Sequence, residues 1–136
     1  MEKYSLIITT TANKESAREI AKLLVEKHLA ACVQMFPIES IYFWKDSVCE
    51  ENEIVLFIKS RTAMFDDIKA AIREIHSYEV PEIVLLPITD GLPEYLKWID
   101  DCVRSGPAPE EIRADAKRPT FREAKSADQS ELTGER

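Results

Sequence analysis

The chain has 136 residues, and 45% of them are hydrophobic, which is enough for one domain with a buried core. Its 25 acidic and 18 basic residues give a net charge of −7, which disfavours nucleic acids and anionic membrane surfaces as partners. No apolar run approaches the ~20 residues that span a bilayer, and the first residues do not resemble a secretory signal, so we expect a cytoplasmic protein. Three widely spaced cysteines, Cys32, Cys49 and Cys102, predict reduced thiols rather than a disulfide framework or a zinc motif.

The first 28 residues predict a strand followed by a helix. Tyr4 to Thr11 are rich in β-branched and aromatic side chains, which suit a half-buried strand. Asn13 is a suitable N-cap, and the apolar residues after it recur at helical spacing to about His28. We therefore expect one helix between Asn13 and His28.

The next segment predicts a long antiparallel hairpin. Two extended stretches, Ala31 to Trp44 and Glu53 to Lys59, are joined by the polar residues 45–47. The second stretch is apolar on both faces near its centre, which predicts cover on both sides of the sheet. Pro37 cannot donate a ladder hydrogen bond and therefore predicts an edge position or a bulge.

The following segment predicts a second helix, a fourth strand and a third helix. Thr62 is expected to cap a helix that ends near His76. The apolar strand Ile83 to Ile88 contains Pro87, which again favours an edge strand or a local distortion. Pro93 suits the first position of the last helix.

The element order β-α-β-β-α-β with an added helix predicts an α+β, ferredoxin-like (split β-α-β) fold. Such a fold packs its helices on one sheet face, so the other face here would expose apolar side chains, which predicts an oligomer. We assign the domain to residues 1–103. Residues 104–136 are rich in proline and poor in large apolar residues, so we expect a flexible tail or, alternatively, an arm that folds against a neighbouring subunit.

Motifs typical of enzymes are missing from the sequence. Residues 1–103 contain one glycine, Gly91, which excludes a glycine-rich phosphate loop, and neither a serine nucleophile elbow nor an HExxH pair occurs. We therefore expect a protein that is not an enzyme.

Four segments carry a resemblance to a known family. They are LAACV at Leu29 to Val33, YFW at Tyr42 to Trp44, HSYEVPEI at His76 to Ile83, and ITDGLPEYLKWI at Ile88 to Ile99. Together they resemble the CutA divalent-cation tolerance family across residues 4–103. The resemblance implies a ferredoxin-like subunit in a tight homotrimer, similar in architecture to PII signalling proteins. It also implies binding of copper or another divalent metal, a role in metal tolerance, and no established catalytic activity.

At four positions the chain departs from the family pattern. Thr9 stands where some members have a cysteine implicated in copper binding, and a hydroxyl is a poorer copper ligand than a thiolate. Ile75 and Ser77 replace a histidine and a proline beside His76. Asp46 replaces a glycine that often follows the aromatic strand end.

The candidate metal ligands are His76, Glu82 and Cys32. An imidazole, a carboxylate and a thiolate from adjoining subunits would suit copper or zinc. The plainer alternatives are that His76 occupies a helix end, that Glu82 is solvated and that Cys32 is buried as packing.

A second acidic group, Glu50, Glu51 and Glu53, is interpreted mainly as a solvated face, with loose attraction of hard cations as the alternative.

Three functional hypotheses follow from these residues. The first is a trimeric metal-responsive binding protein. The second is a PII-like scaffold or signalling trimer that binds an anionic metabolite or a partner protein. The third is catalytic, with Cys32 as a nucleophile near His76.

Overall fold

The computed structural model describes residues 2–104. Its elements are β1 Tyr4–Thr11, α1 Lys14–Glu26, β2 Cys32–Trp44, β3 Ser47–Arg61, a 3₁₀ turn Thr62–Met64, α2 Phe65–Ile75, β4 Ile83–Ile88 and α3 Pro93–Cys102. The predicted order of four strands and three helices is confirmed. The predicted tail, residues 104–136, lies outside the described residues apart from Arg104. Within residues 2–104, no helix is long and apolar enough to cross a membrane.

The four strands form one antiparallel sheet in the order β2-β3-β1-β4. Strand β1 pairs with β3 from Tyr4 opposite Arg61 to Thr11 opposite Ile54. Strands β2 and β4 are the outer strands, which confirms the edge positions predicted from Pro37 and Pro87. An outer strand tolerates proline because the missing N–H can face away from the neighbouring strand.

The hydrophobic core lies between one face of the sheet and helices α1 and α2. Ile7 and Ile58 are direct partners across β1 and β3, and both are fully buried. They pack in one cluster with Leu24 of α1 and Ile68 of α2, which are also fully buried. Burial of a side chain of this size contributes roughly 1.5–3 kcal/mol, so this face holds the helices to the sheet.

The opposite face of the sheet carries apolar side chains that stay partly exposed within residues 2–104. Side chains alternate along a strand, so the neighbours of core residues point to this second face. Phe36, Val84 and Leu86 keep 42%, 44% and 43% of their surface exposed. This open-face patch agrees with the sequence prediction and consists of Leu6, Ile8, Phe36, Phe57, Val84 and Leu86.

The first part of β3, before Ile54, extends past the main sheet together with the last part of β2. Ile38–Trp44 pair with Ser47–Glu53 alone and form the hairpin arm. Its two-residue turn has positive φ at both Lys45 (48°) and Asp46 (64°), the pattern of a type I′ turn. The second extended stretch was predicted to begin at Glu53 and was therefore too short. The acidic residues before Glu53 also belong to β3, because they pair with residues of β2.

One predicted helix start was wrong. Thr62 does not cap α2, because its hydroxyl donates to the Glu2 carbonyl at 2.6 Å and a 3₁₀ turn precedes the helix. Helix α1 ends at Glu26, within two residues of the predicted end, and His28 follows with φ of 59°. The His28 side chain is half-buried, with Nδ1 3.1 Å from the Cys102 carbonyl, so it joins the end of α1 to the end of α3.

Helix α3 is held at one end of the sheet by a charged cluster. Asp100 accepts hydrogen bonds from the Tyr4 hydroxyl and from Lys3 Nζ (3.2 Å), and Arg61 Nε lies 3.6 Å away. Burial opposes ionisation of Asp100, but these hydrogen bonds and the two cations outweigh it and lower the pKa of the carboxyl. Ile99 on the same helix is fully buried in the core.

Candidate cation cleft

An open cleft of about 770 Å³ lies between the hairpin arm and the loop of residues 76–82 that connects α2 to β4. The cleft is lined by Thr10, Glu39, Ser40, Ile41, Tyr42, Trp44, Cys49, Glu51, Glu53, Ser77, Tyr78, Glu79, Val80 and Glu82.

The lining of this acidic cleft has one sign of charge. It contains five glutamates, and no lysine or arginine is among the residues that line it. Glu51 and Glu53 both face the cleft because they are two residues apart on β3, whereas Glu50 points to the other face. The sequence prediction of a solvated acidic face is thus wrong for Glu53, which is only 7% exposed. Carboxylates concentrated in a concave site attract cations.

Two tyrosines hold the two strand glutamates. Tyr78 donates to Glu53 Oε2 at 2.9 Å, and Tyr42 donates to Glu51. Burial and the hydrogen bond to Glu53 raise the pKa of Tyr78 far above its ordinary value of 10.0. The hydrogen bond to Glu51, together with partial desolvation, raises the pKa of Tyr42 to about 12. Both tyrosines therefore stay protonated and keep donating at neutral pH.

His76 lies beneath the loop with both ring nitrogens in hydrogen bonds. Nε2 lies 2.7 Å from the Thr10 carbonyl, and Nδ1 lies 3.0 Å from the backbone N–H of Tyr78. A carbonyl can only accept and an N–H can only donate, so these partners select the neutral imidazole with its proton on Nε2. The ring also contacts that of Tyr78, with centroids 4.8 Å apart.

The structure brings two of the three predicted metal ligands to one region. Glu82 is exposed and lines the cleft, and His76 begins the same loop. Cys32 pairs with Lys59 at the other end of β2, six residues before Ile38 and roughly 20 Å along the strand. One subunit therefore does not form the Cys32 and His76 pair that the catalytic hypothesis requires.

No complete metal site is preformed within residues 2–104. In this part of the chain, no group of three or more histidine, cysteine, aspartate or glutamate side chains converges well enough to hold a metal ion. The assignment of His76, Glu82 and Cys32 as ligands from adjoining subunits stays a prediction.

Several cleft residues were not identified from the sequence. Cys49, a half-buried thiol, alternates with Glu51 and Glu53 along β3 and lines the same cleft. The alternation would have shown this had the strand been predicted to begin at Ser47. Thr9, at the position of the family cysteine, is fully buried on the helix side with an unpartnered hydroxyl and does not line the cleft.

Comparison with known proteins identifies the family. The family model described as CutA1 divalent ion tolerance protein matches residues 5–102. The divalent-cation tolerance protein CutA of Thermus thermophilus is 45% identical over 95 residues, which are 69% of this chain and 92% of that protein. The CutA homologue of Danio rerio is 38% identical over 101 residues, 74% of this chain and 67% of that protein. This chain belongs to the CutA1 divalent ion tolerance family.

Solved structures of relatives have the same fold. One of them is the structure of the periplasmic divalent cation tolerance protein CutA from Archaeoglobus fulgidus, with a TM-score of 0.73. Its sequence is 39% identical to this one, and the match covers 74% of this chain and 99% of that one. CutA1 from Shewanella sp. SIB1 is 40% identical, with a TM-score of 0.74 over 76% of this chain and 98% of that one. The Arabidopsis thaliana relative is named as chloroplastic. Because relatives are named for different compartments, the cytoplasmic location stays a prediction.

Proposed function

We propose that this protein is a homotrimer of ferredoxin-like subunits that binds divalent cations in the acidic cleft, with a role in metal tolerance and without catalysis. Copper and zinc are the cations proposed first. The observation that carries the proposal is the set of five glutamates facing one cleft, which no lysine or arginine of residues 2–104 lines. Membership of a family named for divalent ion tolerance supports the same function.

The donor chemistry of the cleft favours cations over anions. Carboxylate and hydroxyl oxygens suit hard cations, and the Cys49 thiol adds one softer donor for zinc or copper. An anionic metabolite would meet five like charges here, so the PII-like alternative requires another surface. Lys59 and Arg61, at the opposite end of the sheet, are the basic side chains that offer such a surface for that alternative.

The trimer is supported by the open-face patch and by the incomplete metal site. An exposed apolar sheet face of this kind is typical of an association surface. The strand order β2-β3-β1-β4 supports the ferredoxin-like assignment. A neighbouring subunit that packs against the open face would also bring further side chains toward the cleft, where they could add to the donors that residues 2–104 of one chain supply.

Calorimetric titration with Cu²⁺, Zn²⁺ and Mg²⁺ tests cation binding. We expect submillimolar binding of at least one cation, weakened at least tenfold in Glu51→Gln/Glu53→Gln. The matched control is Glu19→Gln, which removes one exposed carboxylate from α1 and should leave the affinity unchanged. Binding no tighter than millimolar, or equal affinity in all variants, would rule out the cleft as the site. Sedimentation equilibrium of the full chain tests the trimer.

A further inference from the structure

His76 connects three separate parts of the subunit. Its backbone N–H donates to the Ile72 carbonyl at 2.8 Å and ends α2. Its ring binds the Thr10 carbonyl on β1 through Nε2 and the Tyr78 N–H of the loop through Nδ1. Few side chains have both a donor and an acceptor at this spacing, and a neutral imidazole supplies them without burying a charge.

We propose that His76 is a positioning residue, which holds the 76–82 loop over the acidic cleft, and that cations bind to side chains lining the cleft rather than to the imidazole. This inference rests on the proposed function.

The hydrogen bonds define how the positioning works. With the Tyr78 N–H fixed on Nδ1, the Tyr78 side chain reaches across to Glu53 at 2.9 Å. Glu79 and Glu82 follow Tyr78 in the same loop and line the same cleft. The imidazole thus sets the distance between the loop carboxylates and the strand carboxylates.

Direct coordination by His76 would break this arrangement. A metal ion on Nδ1 would displace the Tyr78 N–H, and a metal ion on Nε2 would displace the Thr10 carbonyl. Each displacement leaves a backbone polar group without its partner in a half-buried position. His28, the only other histidine, lies at the far end of the sheet beside Cys102, so it does not contribute to the cleft.

Three variants separate a positioning role from a ligand role. His76→Gln keeps a donor that can reach the Thr10 carbonyl, His76→Asn keeps an acceptor for the Tyr78 N–H, and His76→Ala keeps neither. We expect His76→Ala to weaken Cu²⁺ or Zn²⁺ binding to the full chain at least tenfold. His76→Gln and His76→Asn should recover at least part of that loss, whereas a lost imidazole ligand would be replaced poorly by an amide oxygen, which is a much weaker donor for Cu²⁺ and Zn²⁺.

Pulsed electron paramagnetic resonance of the Cu²⁺-loaded protein gives a direct readout. We expect no coupling from a His76 imidazole nitrogen, so the nitrogen modulation should be the same in the wild type and in His76→Gln. Imidazole modulation that disappears in His76→Gln would overturn the proposal.

A metal-free measurement keeps this inference distinct from the proposed function. Amide hydrogen exchange of Tyr78, whose N–H donates to His76 Nδ1, should accelerate at least tenfold in His76→Ala, and imidazole ¹⁵N shifts of the wild type should report a proton on Nε2 and none on Nδ1. His28→Gln is the control and should leave the loop rates unchanged. Unchanged exchange in His76→Ala would overturn the positioning role. If no cation binds at all, the proposed function fails, and the exchange result alone then decides whether His76 positions the loop.

Discussion

The pair formed by Tyr78 and Glu53 provides a quantitative test of how the cleft is built. Glu53 is 7% exposed and accepts the Tyr78 hydroxyl at 2.9 Å. A hydrogen bond to a charged group contributes about 1.5–3 kcal/mol net, against about 0.5–1.5 kcal/mol for a neutral pair. Tyr78→Phe removes a donor from a buried carboxylate and should cost about 1.5–3 kcal/mol of unfolding free energy, whereas Glu53→Gln, which leaves a weaker bond, should cost about 1 kcal/mol.

A double-mutant cycle isolates the interaction from other effects of each change. Urea unfolding of the wild type, both single variants and the double variant, at one protein concentration, should give a coupling energy of about 1–2 kcal/mol between Tyr78 and Glu53. The matched control is the pair of Tyr42 and Glu51, which has the same chemistry on the exposed hairpin arm. Its coupling should be clearly smaller than that of Tyr78 and Glu53, because solvent competes for both partners on the exposed arm. Equal coupling in the two pairs would refute the role assigned to burial.

Four further predictions concern the core, the α3 contact, the open face and the hairpin turn. Ile58→Ala should lower the unfolding free energy by about 2–5 kcal/mol in urea titrations, because Ile58 is fully buried. The pKa of Asp100 is lowered from its ordinary value of 3.8, so the ionised carboxylate stabilises the fold at pH values above 3.8. This stabilisation is lost as the pH falls through the lower pKa of the folded state. In Asp100→Asn, melting curves between pH 2 and 7 should therefore lack that acid-side loss. Leu86→Lys, on the open-face patch, should shift sedimentation toward smaller species, whereas Val25→Lys, equally exposed on α1, should not. Asp46→Gly should raise the melting temperature slightly, since φ of 64° favours glycine.

Local patterns in the sequence were sufficient to predict the element order and much of the placement. The Asn13 cap is present, with its side chain accepting the Ser16 N–H at 2.8 Å. Pro37 and Pro87 limited their strands to an edge position or a local irregularity, and both strands are outer strands, because the loss of a backbone donor restricts where a strand can lie. These features depend on residues close together in the chain, so the sequence carries them directly.

The cleft was decided by tertiary structure. Residues 10, 53 and 76–82 are distant in the chain, and only the register of β1 with β3 and the path of the loop bring them together. Those contacts bury Glu53 and supply both hydrogen-bond partners of the His76 ring. Neither feature could be predicted from an acidic run or from a histidine at a helix end. Cys32 shows the reverse case, since its residue type suggested a ligand while the strand register places it at the far end of the hairpin. Residue type determines which chemistry is available, and chain topology determines which side chains share one site, because separation along the chain does not fix distance in space.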